Sequence, residues 1–343
     1  MINKHIFLTL IVAVSLIAKE TNIFFIIHGN EIDDYKDFFH LLDKNYDHTV
    51  ITITKFLEFQ KHSYIFFIKD AEGNEYIVKQ DKSVSLKHQF QVVLEKLSAY
   101  MASAVGISAH KVEIIAAHIP FPGKIIQERP ASIHTFMPGI SIRDLPEGAL
   151  YQGISIKQAG NPKRPRLGLN TKVIRRMAEH DDLPPIVALD TFISNSDRNK
   201  ANVLYDEINN RFYAIDMCAI YDIFREDRIP IAILACNNIS AMIQNKIIFP
   251  DKQICALKKY QSVLLELLEK FPPTKIYSLM YHFIEQAGLG KECNFRSLNA
   301  MFQYYKNAIE ETYKECERLV ILISELLEIN TKAEIEKELG MVK

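Results

Sequence analysis

Leu189-Asp-Thr-Phe-Ile-Ser-Asn-Ser-Asp-Arg-Asn-Lys-Ala-Asn-Val-Leu204, followed by Arg211-Phe-Tyr-Ala-Ile-Asp216, is the stretch whose reading decides the fold. Upstream of it, Pro184 and Pro185 sit at a helix start, with Asp182 placed to cap it. The apolar run Ile186, Val187, Leu189, Phe192, Ile193 reads as a buried helix that stops near Asn195 and delivers Asp197, Arg198 and Asn202 into a polar loop. Val203 to Ile208, then Asn209-Asn210, then Arg211 to Ile215 reads as strand, two-residue turn and strand, with Asp216 at the mouth of the hairpin. A carboxylate, a carboxamide and a second carboxylate in this order form a metal–phosphate arrangement. Asn and Asp offer hard oxygen ligands suited to Mg²⁺, and the remaining Asp can orient a hydroxyl nucleophile. Taken alone, the same residues also describe a buried helix, an Asn/Asp-rich loop and a surface hairpin.

The pattern D-x-x-I-x-N-x-D-R-x-x-x-N-x-L, then hydrophobic-Ile-Asp, resembles the catalytic and metal loops of atypical kinases, the HipA-like kinases together with the phosphatidylinositol 3-/4-kinases. It fixes seven residue types over fifteen positions. The resemblance implies that Asp197 is the catalytic aspartate, that Asn202 and Asp216 ligate Mg²⁺ (or Mn²⁺), and that ATP is the phosphate donor. Asp222 in Ile220-Tyr-Asp222 resembles the metal aspartate of HipA itself and is the alternative to Asp216. The chain departs from the pattern after Asp216, where Met217 replaces an aromatic residue and Cys218 the usual glycine.

At 343 residues the chain suits one large or two ordinary domains, and the resemblance implies an α+β, two-lobed protein-kinase-like fold with ATP between the lobes. The expected division is an N-terminal extension over 1–46, an apolar segment plus a helix; a β-rich N-lobe over 47–137; and a mostly helical C-lobe over 138–343, with a helical subdomain from about 236. An apolar content of 48% with 24% charged residues is ordinary for a globular chain, and a net charge of −1 argues against nucleic acid as a partner. Five cysteines, odd in number and without a C-x-x-C, suggest reduced thiols rather than a disulfide or zinc framework.

Residues 6–27 carry the one targeting question. Lys4, the apolar run Ile6 to Ala18, and Ile23 to Ile27 look like the start of a signal peptide with a poor cleavage site, a membrane anchor, or a hairpin of Phe7–Leu16 with Ile23–Ile27. An enzyme using ATP needs a compartment that holds it, so the expectation is a cytoplasmic protein, or a secreted effector acting in a host cytosol.

In the N-terminal half, Val50–Phe56, Tyr64–Ile68 and Tyr76–Val78 read as strands, with Asp70-Ala-Glu-Gly-Asn74 as a turn. By the resemblance, Lys79 at the end of the third strand pairs with the α- and β-phosphates. The same resemblance implies that the loop Glu58–Ser63, which holds no glycine, would cover the phosphates through Lys61, Ser63 or backbone N–H groups. Ser83 to Val105 is amphipathic: Phe90, Val93, Leu94, Leu97, Met101 and Val105 form its stripe and Gly106 ends it. This helix resembles the regulatory helix of HipA-like kinases, which makes Glu95 the partner of Lys79. Val112–Ala117 and Ser132–Met137 are further strands. The second leads to a hinge where adenine would meet the backbone of His134, Phe136 and Met137. Pro138-Gly139 marks the lobe boundary.

Residues 157–176 hold Lys157, Lys163, Arg164, Arg166, Lys172, Arg175 and Arg176 with no acidic residue. The bland reading is a basic surface loop. The functional one is an anion site for a phosphoinositide, an inositol polyphosphate or an acidic substrate, centred on Lys163, Arg164, Arg166, Arg175 and Arg176. The segment Met217–Ala235 is charge-balanced where lipid kinases of the resembled group carry basic residues, which favours a protein substrate. Ile254–Leu268, Lys275–Ala287 and Ser297–Glu328 read as helices, and the Glu-rich end Ala333–Gly340 as solvated.

Overall fold

The computed structural model describes residues 22–28, 49–57, 63–69, 73–81, 85–118, 129–141, 180–195, 197–198, 202–221, 243–245, 249–289 and 295–338. Its class is α+β: antiparallel strands first, helices after. The chain divides into two compact units, Met1–Ala99 with His110–Phe136 and Ser278–Met301, and Tyr100–Ala109 with Met137–Tyr277 and Phe302–Lys343.

The first unit is built on β1 (Asn22–His28), β2 (Thr49–Leu57), β3 (Ser63–Lys69), β4 (Glu75–Asp81), β5 (Val112–His118) and β6 (Arg129–Thr135). These close into a barrel in the order β1-β2-β3-β4-β6-β5, which leaves no free sheet edge among these six strands. Closure depends on β1, which pairs with both β2 and β5, so Ile23–Ile27 belongs to the sheet rather than to an appended segment. The expected Phe7–Leu16 strand and the helix expected within Glu31–Tyr46 lie outside the described residues.

Two strand boundaries differ from the sequence reading. Lys79 lies inside β4, not at its end, because the register Ile65↔Lys79 and Lys79↔Ser132 extends the ladder to Asp81. β6 begins at Arg129, earlier than expected, and stops at Thr135, so Phe136 and Met137 follow the strand.

Helix α1 (Leu86–Ala104) carries the expected stripe, with Phe90, Val93, Leu94, Leu97 and Met101 buried. Burial does not stop at the stripe: Val92 through Ala99 are all inaccessible, charged residues included. Lys96 sits at 2.5 Å from the Glu113 carboxylate of β5 and over the ring of Phe283, its charge compensated inside the core. Gly106 (φ 69°) ends the helix as expected, with the Ile107 N–H returned to the Ala102 carbonyl.

In the second unit α2 (Leu183–Phe192) is nearly all apolar and opens with Pro184 and Pro185. Asp182 occupies the cap position without capping: its Oδ2 instead accepts from the Phe212 backbone N–H and from Arg211 Nε. These two donors, on neighbouring residues of another strand, outbid the helix N–H groups for that carboxylate. A three-stranded sheet in the order β7-β8-β9 follows, from β7 (Ile140–Ser141), β8 (Val203–Asp206) and β9 (Arg211–Ala214). Its hairpin turn is Glu207–Asn210, longer than the two residues read from the sequence. Asp206 accounts for the difference, accepting from the N–H groups of Ile208 and Asn209 and from Asn209 Nδ2. The side-chain bond from Asn209 is the main reason that the Asp206 carboxyl lies below its ordinary pKa.

Gly139, read as a boundary marker, has a tighter role. Its φ is 118°, and a Cβ there would lie 2.7 Å from the Tyr205 carbonyl oxygen. Only glycine lets the chain enter β7 beside β8. Gly139→Ala is expected to lower stability by about 1–3 kcal/mol, read as a reduced urea midpoint at unchanged slope.

The helices α3 (Asp251–Lys270), α4 (Pro273–Gln286) and α5 (Phe295–Glu338) complete the chain. Buried positions along α5 are Tyr305, Ile309, Thr312, Cys316, Leu319 and Ile323, continuing through Leu326 and Asn330. Steps of four and three residues track one helical face. Among the described residues no helix is long and apolar enough to cross a membrane.

Candidate active site

The loop after α2 is held by side chains whose first task is structural. Ser194 turns the chain in the left-handed region (φ 47°). Asn195 donates through Nδ2 to Asp190 Oδ1 at 2.9 Å and accepts from the Asp197 N–H at 3.0 Å. Arg198 grips Asp190 with two N–H groups, Nε to Oδ2 at 2.7 Å and Nη2 to Oδ1 at 2.9 Å. Its Nη1 reaches the carbonyls of Asn202 at 2.5 Å and Ile215 at 2.8 Å. One guanidinium therefore ties α2 to the start of β8 and the end of β9. Planar, multiply bonded Arg suits this; a lysine could not span it.

Within that frame the oxygen-bearing side chains meet. Asn202, almost fully buried, donates through Nδ2 to the Asp197 carbonyl at 2.9 Å and to Asp197 Oδ2 at 3.2 Å. With Nδ2 committed, Oδ1 is the atom Asn202 has for a ligand. The Ile215 N–H reaches the Asn202 carbonyl at 3.1 Å, which extends the β8–β9 pairing by one backbone bond, one residue short of Asp216. Asp216 itself has φ 54°, a conformation Asp tolerates better than most residues. Met217 is fully buried, an apolar anchor where the sequence pattern has an aromatic residue, and Cys218 Sγ donates to Asp216 Oδ1 at 3.6 Å.

Packing below fixes α2. Tyr260 of α3 donates its hydroxyl to Thr191 Oγ1 at 3.0 Å, and Cys316 of α5 points its thiol at the Thr191 carbonyl. Burial pushes both the Tyr260 phenol and the Cys316 thiol well above their ordinary pKa, so both stay neutral donors. Lys259 and Asp181 add a surface ion pair at 3.0 Å.

In the first unit Lys79 Nζ lies 2.9 Å from Glu95 Oε1, the ion pair expected between the strand lysine and the helix glutamate. Glu95 is buried, and its other oxygen is occupied too: Ser132 Oγ donates to Oε2 at 3.2 Å, and His134 Nε2 lies 3.5 Å away. Lys79 and Ser132 are cross-strand partners, so they share a face of the sheet and meet the same carboxylate.

The hinge residues are placed as follows. The N–H groups of Thr135 and Phe136 are donated to the carbonyls of Lys111 and Glu75. The His134 ring turns into the core against His110, whereas the ring of Phe136 is 41% exposed and packs edge-on to Phe67. Met137 follows, partly buried. Ser63 opens β3, opposite Asp81. Lys61, Asp222, the Met217–Ala235 segment beyond Tyr221, and the basic residues Lys163, Arg164, Arg166, Arg175 and Arg176 lie outside the described residues.

Sequence reasoning named Asp197, Asn202 and Asp216 but gave no role to Asp190, Asn195 and Arg198, which hold them. The signal was present as the fixed letters of the pattern between helix and hairpin. Ser132 and His110 carried no signal, since neither lies near a motif.

No protein-family model matches the chain, and no curated protein matches it. Solved structures do. The Helicobacter pylori proinflammatory kinase CtkA matches at 12% identity over 84% of this chain and 96% of that one, with a TM-score of 0.43. HipA of the Shewanella oneidensis MR-1 toxin–antitoxin system matches at 11% identity over 80% of this chain and 68% of that one, at 0.44. The Rio2 kinase of Chaetomium thermophilum, in a complex with ADP/Mg²⁺ and phosphoaspartate, matches at 12% over 84% and 82%, at 0.36. CtkA and Rio2 are kinases. At these identities and TM-scores the likeness places the chain in no family and assigns it no activity.

Proposed function

We propose that this chain is an ATP- and Mg²⁺-dependent phosphotransferase acting on a serine or threonine hydroxyl of a protein, either another protein or itself. The observation that supports the reading is the frame in which Arg198 binds the carbonyls of Asn202 and Ile215 while Asn202 donates to Asp197 Oδ2. The donor chemistry fits a hard cation: a carboxamide oxygen and a carboxylate, with no imidazole or thiolate ligand required. Asn202 Oδ1 and the Asp216 carboxylate would hold Mg²⁺, which when bound neutralises charge developing on the transferred phosphoryl group.

The chain's own residues supply the rest. Lys79, kept in place by Glu95, offers an ammonium to the α- and β-phosphates; the Glu95 carboxylate in turn is fixed by Ser132. Asp197 is exposed, as a group that must meet an incoming hydroxyl has to be, and accepts its proton or orients it. Its neighbour Asn202 holds the carboxylate by Oδ2. The Phe136 ring offers an apolar surface to a nucleobase.

Two other readings rest on sequence observations. The seven cations of 157–176 favour a phosphoinositide as acceptor. The absence of glycine from Glu58–Ser63 and the Met217-Cys218 pair favour a non-catalytic nucleotide-binding protein. Incubation with γ-labelled ATP and Mg²⁺, once with generic protein substrates and once with phosphoinositide vesicles, separates all three. Label is expected on protein, on the chain itself or on a substrate. Label on lipid alone moves the acceptor to a phosphoinositide, and no transfer with saturable ATP binding leaves the non-catalytic reading.

A further inference from the structure

The Glu95 carboxylate has a second set of neighbours. His110, just before β5, and His134, on β6, converge on it, and one ligand atom from each of the three residues lies within 4.8 Å of the others. All three are buried, exposed by 4% (Glu95), 3% (His110) and 2% (His134). The two imidazoles stand edge to face with centroids 4.7 Å apart, and His134 Nε2 is 3.5 Å from Glu95 Oε2. Ser132 Oγ completes the group, 2.8 Å from His134 Nε2 and 3.2 Å from Glu95 Oε2. We propose that Glu95, His110 and His134 form a binding site for a borderline divalent transition-metal ion, Zn²⁺ above all, that shares the Glu95 carboxylate with Lys79.

The donor set selects the ion. Two imidazoles and one carboxylate suit Zn²⁺ and its neighbours, whereas Mg²⁺ and Ca²⁺ take all-oxygen shells. Bonds of about 2.0–2.2 Å to His nitrogen and carboxylate oxygen require donors closer together than the 4.8 Å limit seen here. Small rotations of two rings toward a shared centre supply the difference. Three protein donors leave a fourth position, beside the Ser132 hydroxyl.

Regular elements carry two of the donors: Glu95 projects from a helix whose central turns are buried, and His134 from a strand paired on both sides, while His110 immediately precedes β5. The site also differs in kind from the oxygen pair Asn202 and Asp216. An ion on Oε2 draws on the same negative charge that holds the Lys79 ammonium on Oε1, so the metal and the lysine compete for one carboxylate.

The test uses the full-length chain stripped with EDTA, titrated with Zn²⁺ by calorimetry and with Co²⁺ by its visible d–d absorption. One saturable equivalent is expected, undisturbed by a large excess of Mg²⁺, together with a rise in thermal midpoint on adding Zn²⁺. His110→Gln, His134→Gln and Glu95→Gln should each weaken binding by about tenfold or more, whereas His282→Gln and Cys255→Ser, on exposed helix faces, should not. Circular dichroism in EDTA confirms that each variant is folded, and the Glu95→Gln change, closest in volume, serves if a histidine variant is not. No Zn²⁺ uptake by the wild type, or equal uptake by wild type and the folded site variants, overturns the proposal. None of these readouts involves ATP, so the result stands apart from the kinase reading.

Discussion

Asp216→Ala is expected to remove phosphate transfer while leaving the protein folded, and Asp197→Ala to do the same. Under the proposed reading both act through charge and position, the contributions that dominate phosphoryl transfer. Losing a single preorganised electrostatic group typically costs on the order of 10²–10³ in kcat, and a metal ligand or the hydroxyl-orienting carboxylate should cost at least that. The structure says why folding should survive. Asp197 is exposed and Asp216 only partly covered, while the frame beneath them is made by Arg198, Asp190 and Asn195. Asp197→Ala removes the longer of two bonds made by Asn202 Nδ2, whose bond to the Asp197 carbonyl remains, so a cost of about 1 kcal/mol is expected, and Asp216→Ala carries a cost for alanine at positive φ. Labelled-ATP transfer and a denaturation curve on each variant check both halves. Full activity in either variant removes that residue from the mechanism. If Asp222→Ala ends activity and Asp216→Ala does not, the second metal ligand is Asp222.

Glu113→Ala should cost the fold about 3–5 kcal/mol, a large share of the roughly 5–15 kcal/mol that holds a domain together. The Glu113 side chain is wholly inaccessible, and Lys96, 2.5 Å away, is 2% exposed. Truncating the carboxylate leaves the ammonium in the core with the Phe283 ring and without its counter-charge. Burial of an uncompensated charge, rather than loss of an attraction, sets the size of the effect. The double variant Lys96→Met, Glu113→Leu removes both charges at similar volume and should recover most of the loss. Urea midpoints for wild type, single and double variants measure it. A single variant within about 1 kcal/mol of wild type would show that Lys96 finds another partner or water.

Several features were readable from the chain alone because they depend on neighbours in sequence. The stripe of α1, its stop at Gly106, the apolar α2 with its two prolines, and the helices after residue 250 follow from periodicity and from glycine and proline geometry. The spacing of Asp197 and Asn202 is also local, which is why their contact could be anticipated. The Lys79–Glu95 pair required a resemblance as well, since a lone lysine in a strand and a glutamate on a helix face are usually solvated.

Among the described residues, the chain alone told most helices from strands and placed Asp197 beside Asn202 in the loop after α2. Tertiary structure decided where the competing hydrogen bonds went. Asp182 left the α2 cap for donors on β9, and Asp206 lengthened the hairpin turn by capturing Asn209. β1 closed the barrel by pairing with strands far along the chain, and Lys96 was buried because Glu113 came to meet it. Glu95, His110 and His134, distant in sequence, met around one carboxylate. In each case the partner lies on another element. A buried polar group is stable only beside the partner that replaces water, and periodicity along the chain carries no record of which partner folding will supply.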